Sequence, residues 1–119
     1  MKQTPPELPV IQKTYDLVRW YVPILNKLPR DQKFLLGDRL IRGLYDMLEA
    51  LLSARYQREK TALLETASAR LNILRYQSRL LLDFHLINPE RYAHVSRHLD
   101  DIGMDVGGWL KQQQRKGGA

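Results

Sequence analysis

Residues 61–87 read TALLETASARLNILRYQSRLLLDFHLI, and this stretch decides the fold. Leu63, Leu64, Ala67, Leu71, Leu74, Ser78, Leu81, Leu82 and His85 recur at three- and four-residue intervals. At about 100° per residue they share one side of an α-helix, so the spacing predicts a helix over 61–87 with one buried face. His85 falls on that face and reads as a hydrogen-bonded core residue rather than a ligand. Asn88-Pro89 marks the next boundary: Asn88 can cap the following helix while Pro89 takes its first position, where a missing donor costs nothing. Thr61 stands where it could cap the helix at its start.

Working outward, prolines divide the rest of the chain. Pro5, Pro6 and Pro9 predict an extended segment over residues 1–9, and Pro29 separates helices over 10–28 and 30–57. A fourth helix is expected over 89–114, and residues 115–119 form a flexible basic tail. Pro23 should kink the first helix. Val10, Thr14, Val18, Tyr21, Leu25 and Leu28 align on the first helix, and Tyr92, Val95, Leu99, Ile102, Val106 and Leu110 on the fourth. Good helix formers dominate and β-branched residues are sparse after Val22. Connections this short make successive helices antiparallel. The predicted fold is all-α: an up-down-up-down four-helix bundle over residues 10–114.

With 119 residues, 44% hydrophobic and 27% charged, the chain can form one globular domain. It has no cysteine, which excludes disulfides, thiolate metal sites and a cysteine nucleophile. No apolar run approaches the roughly 20 residues of a membrane span. Residues 1–7 lack the apolar core of a signal peptide, so a cytoplasmic location is expected.

A second set of apolar residues lies off the core face. In the third helix these are Ala62, Ala69, Ile73, Tyr76, Leu80, Phe84 and Ile87. Phe34, Ile41, Tyr45, Leu52 and Tyr56 widen the stripe of Leu36, Leu40, Leu44, Met47, Leu48 and Leu51 in the second helix, and Trp20 points off the core side of the first. So much contiguous apolar surface predicts subunit contact through the second and third helices. The expected oligomer interface is Trp20, Phe34, Ile41, Tyr45, Leu52, Tyr56, Ile73, Tyr76, Leu80 and Phe84.

Catalytic constellations are scarce, and no catalytic residue, cofactor or small-molecule substrate is predicted. His94 and His98 stand four apart with Asp101 and Asp105 toward the same side, a spacing that zinc could use. Such residues on the back of an amphipathic helix more often form a solvated face, and no metal site is assigned. Gly103 and Gly107-Gly108 are not a phosphate loop, because no strand precedes them. The Gly107-Gly108-Trp109 run instead loosens the helix and seats Trp109 in a junction.

Basic residues carry more information. Nineteen Lys and Arg against thirteen Asp and Glu give a net charge of +6, which favours nucleic acid as partner. Arg55, Arg58 and Lys60 cluster at the second turn, Arg70, Arg75 and Arg79 flank the third helix, and Lys111, Arg115 and Lys116 lie at the C-terminal end. Phosphate binding needs little beyond cations presented along a surface, so these nine are the predicted nucleic-acid contacts. The opposing reading pairs each arginine with a helical acid such as Asp46, Glu49, Glu59 or Glu65.

The run Lys13-Thr14-Tyr15-Asp16-Leu17-Val18-Arg19-Trp20 resembles the opening of the Avd family, the accessory variability determinants of diversity-generating retroelements. Leu28-Pro29-Arg30, Lys33-Phe34, Leu36-Gly37 and Arg39 are similar to that family's turn into its second helix. Ala54-Arg55-Tyr56, Leu71, Leu74-Arg75, Ile102-Gly103 and Gly107-Gly108-Trp109-Leu110-Lys111 resemble its later blocks. Met104-Asp105 departs from the pattern and removes positive charge from the fourth helix. The resemblance implies a non-catalytic four-helix bundle assembling into a pentameric barrel. Its implied partners are RNA, cDNA and the element's reverse transcriptase, whose mutagenic cDNA synthesis it supports. A related four-helix family, encoded within intervening sequences of ribosomal RNA genes, shares the proline-led second helix and implies an interaction module without a nucleic-acid role.

Overall fold

The computed structural model describes residues 7–117, and these form four rods with no strand among the described residues. Helix α1 spans Glu7–Leu25. Rod α2 covers residues 30–56, with α-helical Arg30–Gln32 and Asp38–Tyr56 on either side of a π-helical segment, Lys33–Gly37. Helix α3 spans Thr61–Asp83 and α4 spans Pro89–Gly117. The rods pack in ring order α1–α2–α3–α4, with α4 closing back onto α1. No helix is long and apolar enough to cross a membrane among the described residues.

The ends depart from the sequence expectation for local reasons. Helix α1 begins at Glu7 rather than after residue 9, because Pro9 falls in the first turn, whose amides have no intrahelical acceptor. The rest of the expected extended segment, residues 1–6, lies outside the described residues. The helix runs through Pro23 and ends two residues later, where tight turns close it: Asn26 N–H donates to the Val22 carbonyl at 2.9 Å and Lys27 N–H to that of Ile24 at 3.1 Å. The expected α-helix over 30–57 is interrupted by the π segment. Gly37 sits where an added Cβ would lie 3.3 Å from the Gln32 carbonyl and 3.4 Å from Leu28 Cδ1. The wider turn packs this glycine against the end of α1 and leaves Phe34 and Leu35 exposed while Leu36 is buried.

Thr61 does not cap α3. Lys60 precedes it with no side-chain cap, and the Lys60 ammonium instead donates to the carbonyls of Ala54 at 2.6 Å and Arg55 at 3.0 Å, closing the end of α2. His85 is not a core residue. The helix stops at Asp83, and His85 adopts a left-handed φ of 59° with its ring exposed. Leu86 N–H donates to the Leu81 carbonyl at 2.8 Å and His85 N–H to that of Leu82 at 3.0 Å, the paired bonds of a Schellman terminus. The reversal also drops Ile87 into the core rather than onto the outer stripe. Asn88 Oδ1 accepts from the Arg91 amide at 2.8 Å, capping α4 as its position predicted. That helix continues to Gly117, so Arg115 and Lys116 ride on it and not on a loose tail.

The core is aliphatic. Leu17, Leu25, Leu40, Leu44, Met47, Leu51, Leu64, Leu74, Leu81, Leu99 and Ile102 lose essentially all contact with water. Two polar side chains join them with partners: Thr14 Oγ1 donates to the Val10 carbonyl at 2.8 Å, and the Tyr21 and Ser78 hydroxyls bond at 2.8 Å. Burial pushes the Tyr21 phenol up to about 12, partly opposed by its Ser78 bond. Trp109 is buried, while a Cβ at Gly107 or Gly108 would meet nothing within 4 Å. Gly103 is tight: a Cβ there would come 2.7 Å from Arg75 Nη2 and 2.9 Å from Leu71 Cδ2. Its missing side chain lets the Arg75 guanidinium cross from α3 to α4.

Candidate nucleic-acid and assembly surfaces

The nine predicted phosphate contacts divide into two groups. Arg70 pairs with Asp46 at 3.6 Å, Arg75 with Asp100 at 2.9 Å, and Arg79 with Asp83 at 3.1 Å. Arg75 also reaches the Leu99 carbonyl at 3.4 Å, and hydrogen bonding to Asp83 raises the pKa of Arg79. For these three the acid-paired reading holds in the protomer, and Lys60 is committed to its carbonyl cage. The other five stand at one end. The contacts of Leu71 with Gly103 and of Arg75 with Leu99 set the antiparallel register of α3 and α4, bringing Lys111, Arg115 and Lys116 level with the 57–60 turn. Arg58, Lys111, Arg115 and Lys116 are exposed there. Arg55 lies over the Tyr56 ring, 5.2 Å from its centroid. None of these five makes an ion pair among the described residues.

The expected single apolar face is two patches. Gly43 against Leu74 and Asp46 against Arg70 show which flank of α2 meets α3. Ile41, Tyr45, Leu48, Leu52 and Tyr56 lie on the other flank, toward α1. With α1 and α2 antiparallel, the close approach of Gly37 to the Leu25 carbonyl places Tyr15 level with the stretch between Tyr45 and Leu52. Half-buried Ile11, Val22, Ile41 and Leu48 floor this seam. Tyr15, Tyr45, Leu52 and Tyr56 are exposed beside it, Tyr56 by 77%. The second patch is the outward side of α3, with Ile73, Tyr76, Leu80 and Phe84 exposed, Tyr76 by 78%. Phe34 and Leu35 line the same α2/α3 groove as Ile73 and extend this patch. Arg39, Arg42, Asp46 and Arg70 also line that groove and separate the patches.

Trp20 belongs to neither patch. It faces the α1/α4 seam, its ring centroid 4.1 Å from that of His94, which in turn lies 4.4 Å from His98. Burial, and then the neighbouring His98 and Arg97, lower the His94 pKa. Asp101 and Asp105 share the seam, as their spacing indicated, but Lys13 of α1 takes both, at 3.0 and 2.8 Å. Those bonds raise the Lys13 pKa. Among the described residues no three His, Cys, Asp or Glu side chains gather as metal ligands. Sequence reasoning missed the Lys13 tie and the three-ring ladder, since each joins residues far apart in the chain.

Rods of this length, with an aliphatic interior, exposed aromatic stripes and unpaired cations at one end, define a class: small basic four-helix bundles. A crystal structure of a protein of unknown function from the S23 ribosomal protein family of Bacteroides thetaiotaomicron shares this fold. Its TM-score is 0.83 over 90% of this chain and 99% of that one, at 18% identity. No curated protein shows significant sequence similarity to the chain. The bAvd-like family model matches residues 8–113, and the chain belongs to that family.

Proposed function

We propose that the protein is a non-catalytic accessory subunit of a diversity-generating retroelement, an oligomer that holds RNA or cDNA phosphates beside the element's reverse transcriptase. Membership of the bAvd-like family supports the retroelement setting. The observation that carries the reading is the pair of unlike apolar patches on each protomer. Unlike surfaces fit head to tail, so the α1/α2 patch of one copy packs on the α3 patch of the next, and a rotation that closes gives a ring. The pentamer is the number the Avd resemblance implies. Repeating Arg55, Arg58, Lys111, Arg115 and Lys116 around such a ring concentrates cations at one rim, where a polyanion gains most.

The ion pairs of Arg70, Arg75 and Arg79 favour a second reading, an interaction module without nucleic acid. Salt separates the two. For single-stranded RNA, log affinity should fall against log salt by about 0.7 per phosphate neutralised. Replacing Arg58, Lys111, Arg115 and Lys116 with Gln should flatten that slope by roughly 3, whereas Gln at Arg70, Arg75 and Arg79 should change it less. A salt-independent affinity in a gel-shift series would support the interaction module instead.

A further inference from the structure

We propose that Trp20, with His94, His98, Asp16 and Arg19, forms a stacking site for an unpaired base of single-stranded nucleic acid. The proposal rests on the nucleic-acid reading above and adds a second contact, to bases rather than phosphates. Trp20 lies on the α1/α4 seam, on the other flank of α1 from Tyr15 and across the bundle from the α3 patch. Its half-buried indole begins a row of three tilted rings, with centroid spacings of 4.1 and 4.4 Å and interplanar angles of 39° and 46°. Beside it is a shallow depression of about 250 Å³ lined by Asp16, Arg19 and Trp20 alone. A base entering there would meet the indole, a carboxylate that accepts from base N–H groups, and a guanidinium that donates to base oxygens or the adjoining phosphate. Asp16 already accepts from Gln12 Nε2 at 2.9 Å through Oδ1, leaving Oδ2 available. Arg19 and Arg97 are exposed on the two helices of the seam, and neither forms an ion pair among the described residues. Lys13 bridges Asp101 and Asp105 and offsets one of their two negative charges. Burial lowers the His94 pKa and so favours the neutral imidazole as a neighbouring ring.

Tryptophan emission tests this directly, because the other tryptophan, Trp109, is buried and supplies a constant background. A ten-nucleotide single-stranded oligouridylate should quench Trp20 emission in step with binding followed by gel shift, and a duplex RNA of equal length should not. Trp20→Leu should weaken single-strand affinity by about 5- to 150-fold, the span expected for losing one base-stacking aromatic. Arg19→Gln, at an exposed position that cannot disturb the core, should weaken it several-fold with the assembly mass unchanged. Binding by gel shift without quenching would overturn the stacking site and leave the phosphate reading standing. Loss of assembly mass in Trp20→Leu at unchanged affinity would overturn it in favour of a subunit contact. No binding by gel shift would overturn the nucleic-acid reading itself.

Discussion

Among the described residues, His85 is the non-glycine residue that holds a positive φ. Its left-handed φ of 59° occupies the Schellman position that glycine fills without steric cost. His85→Gly should therefore raise stability by about 0.5–1 kcal/mol, visible as a higher denaturation midpoint at an unchanged denaturant slope. Tyr21 makes an alkaline prediction. Its pKa is raised from 10.0 to about 12, so above pH 10 the unfolded chain loses this proton while the folded one keeps it. Stability present below pH 10 should then drain away as pH rises toward 12. Tyr21→Phe should remove that dependence while costing about 1 kcal/mol at neutral pH for the lost bond to Ser78. Denaturant titrations at pH 8 and pH 11 check both statements. Neither feature was legible in the sequence. The interval from Ser78 through Leu81 to His85 continues the helical pattern past the true end, and nothing in the spacing distinguishes a terminal histidine from a buried one. The Tyr21–Ser78 bond joins residues 57 positions apart.

At the scale of elements, the four helices were readable because proline, asparagine and apolar intervals act locally, and Asn88 caps α4 where its position said it would. The π segment was not readable. Lys33–Gly37 has the composition of an ordinary helix, and the wider turn arises only as Gly37 seats against the end of α1. Helix contact also gives the glycines of α4 opposite roles. A leucine at Gly103 must displace both Leu71 and the Arg75 guanidinium, and Gly103→Leu should destabilise the bundle by about 1–3 kcal/mol. Gly108 faces open space, and Gly108→Ala should stabilise by up to about 1 kcal/mol through helix propensity alone. Thermal melts of the two variants should move in opposite directions. The arginines show the same limit. Spacing placed Arg70 and Arg75 on the flanks of α3, but their acids, Asp46 and Asp100, come from the neighbouring rods. Which cations remain available for phosphates follows from packing, not from charge count.

For the whole molecule, a helical wheel gives the direction of each stripe on its own rod but not the neighbour toward which it turns. The sequence therefore predicted one apolar face, whereas α2 turns its stripe toward α1 and α3 turns its own outward. That division makes the central claim: two unlike patches on one protomer that join head to tail. Analytical ultracentrifugation of two variants tests it, one with Tyr45→Lys and Leu52→Lys on the α1/α2 patch, the other with Tyr76→Lys and Leu80→Lys on α3. All four side chains are exposed, so neither variant need lose its fold. The wild-type protein should sediment as an assembly at micromolar concentration, each variant alone as a single protomer, and an equimolar mixture as a 1:1 heterodimer through the one interface left intact. A wild-type protein that sediments as a lone protomer, or variants that dimerise alone and gain nothing on mixing, would contradict the account.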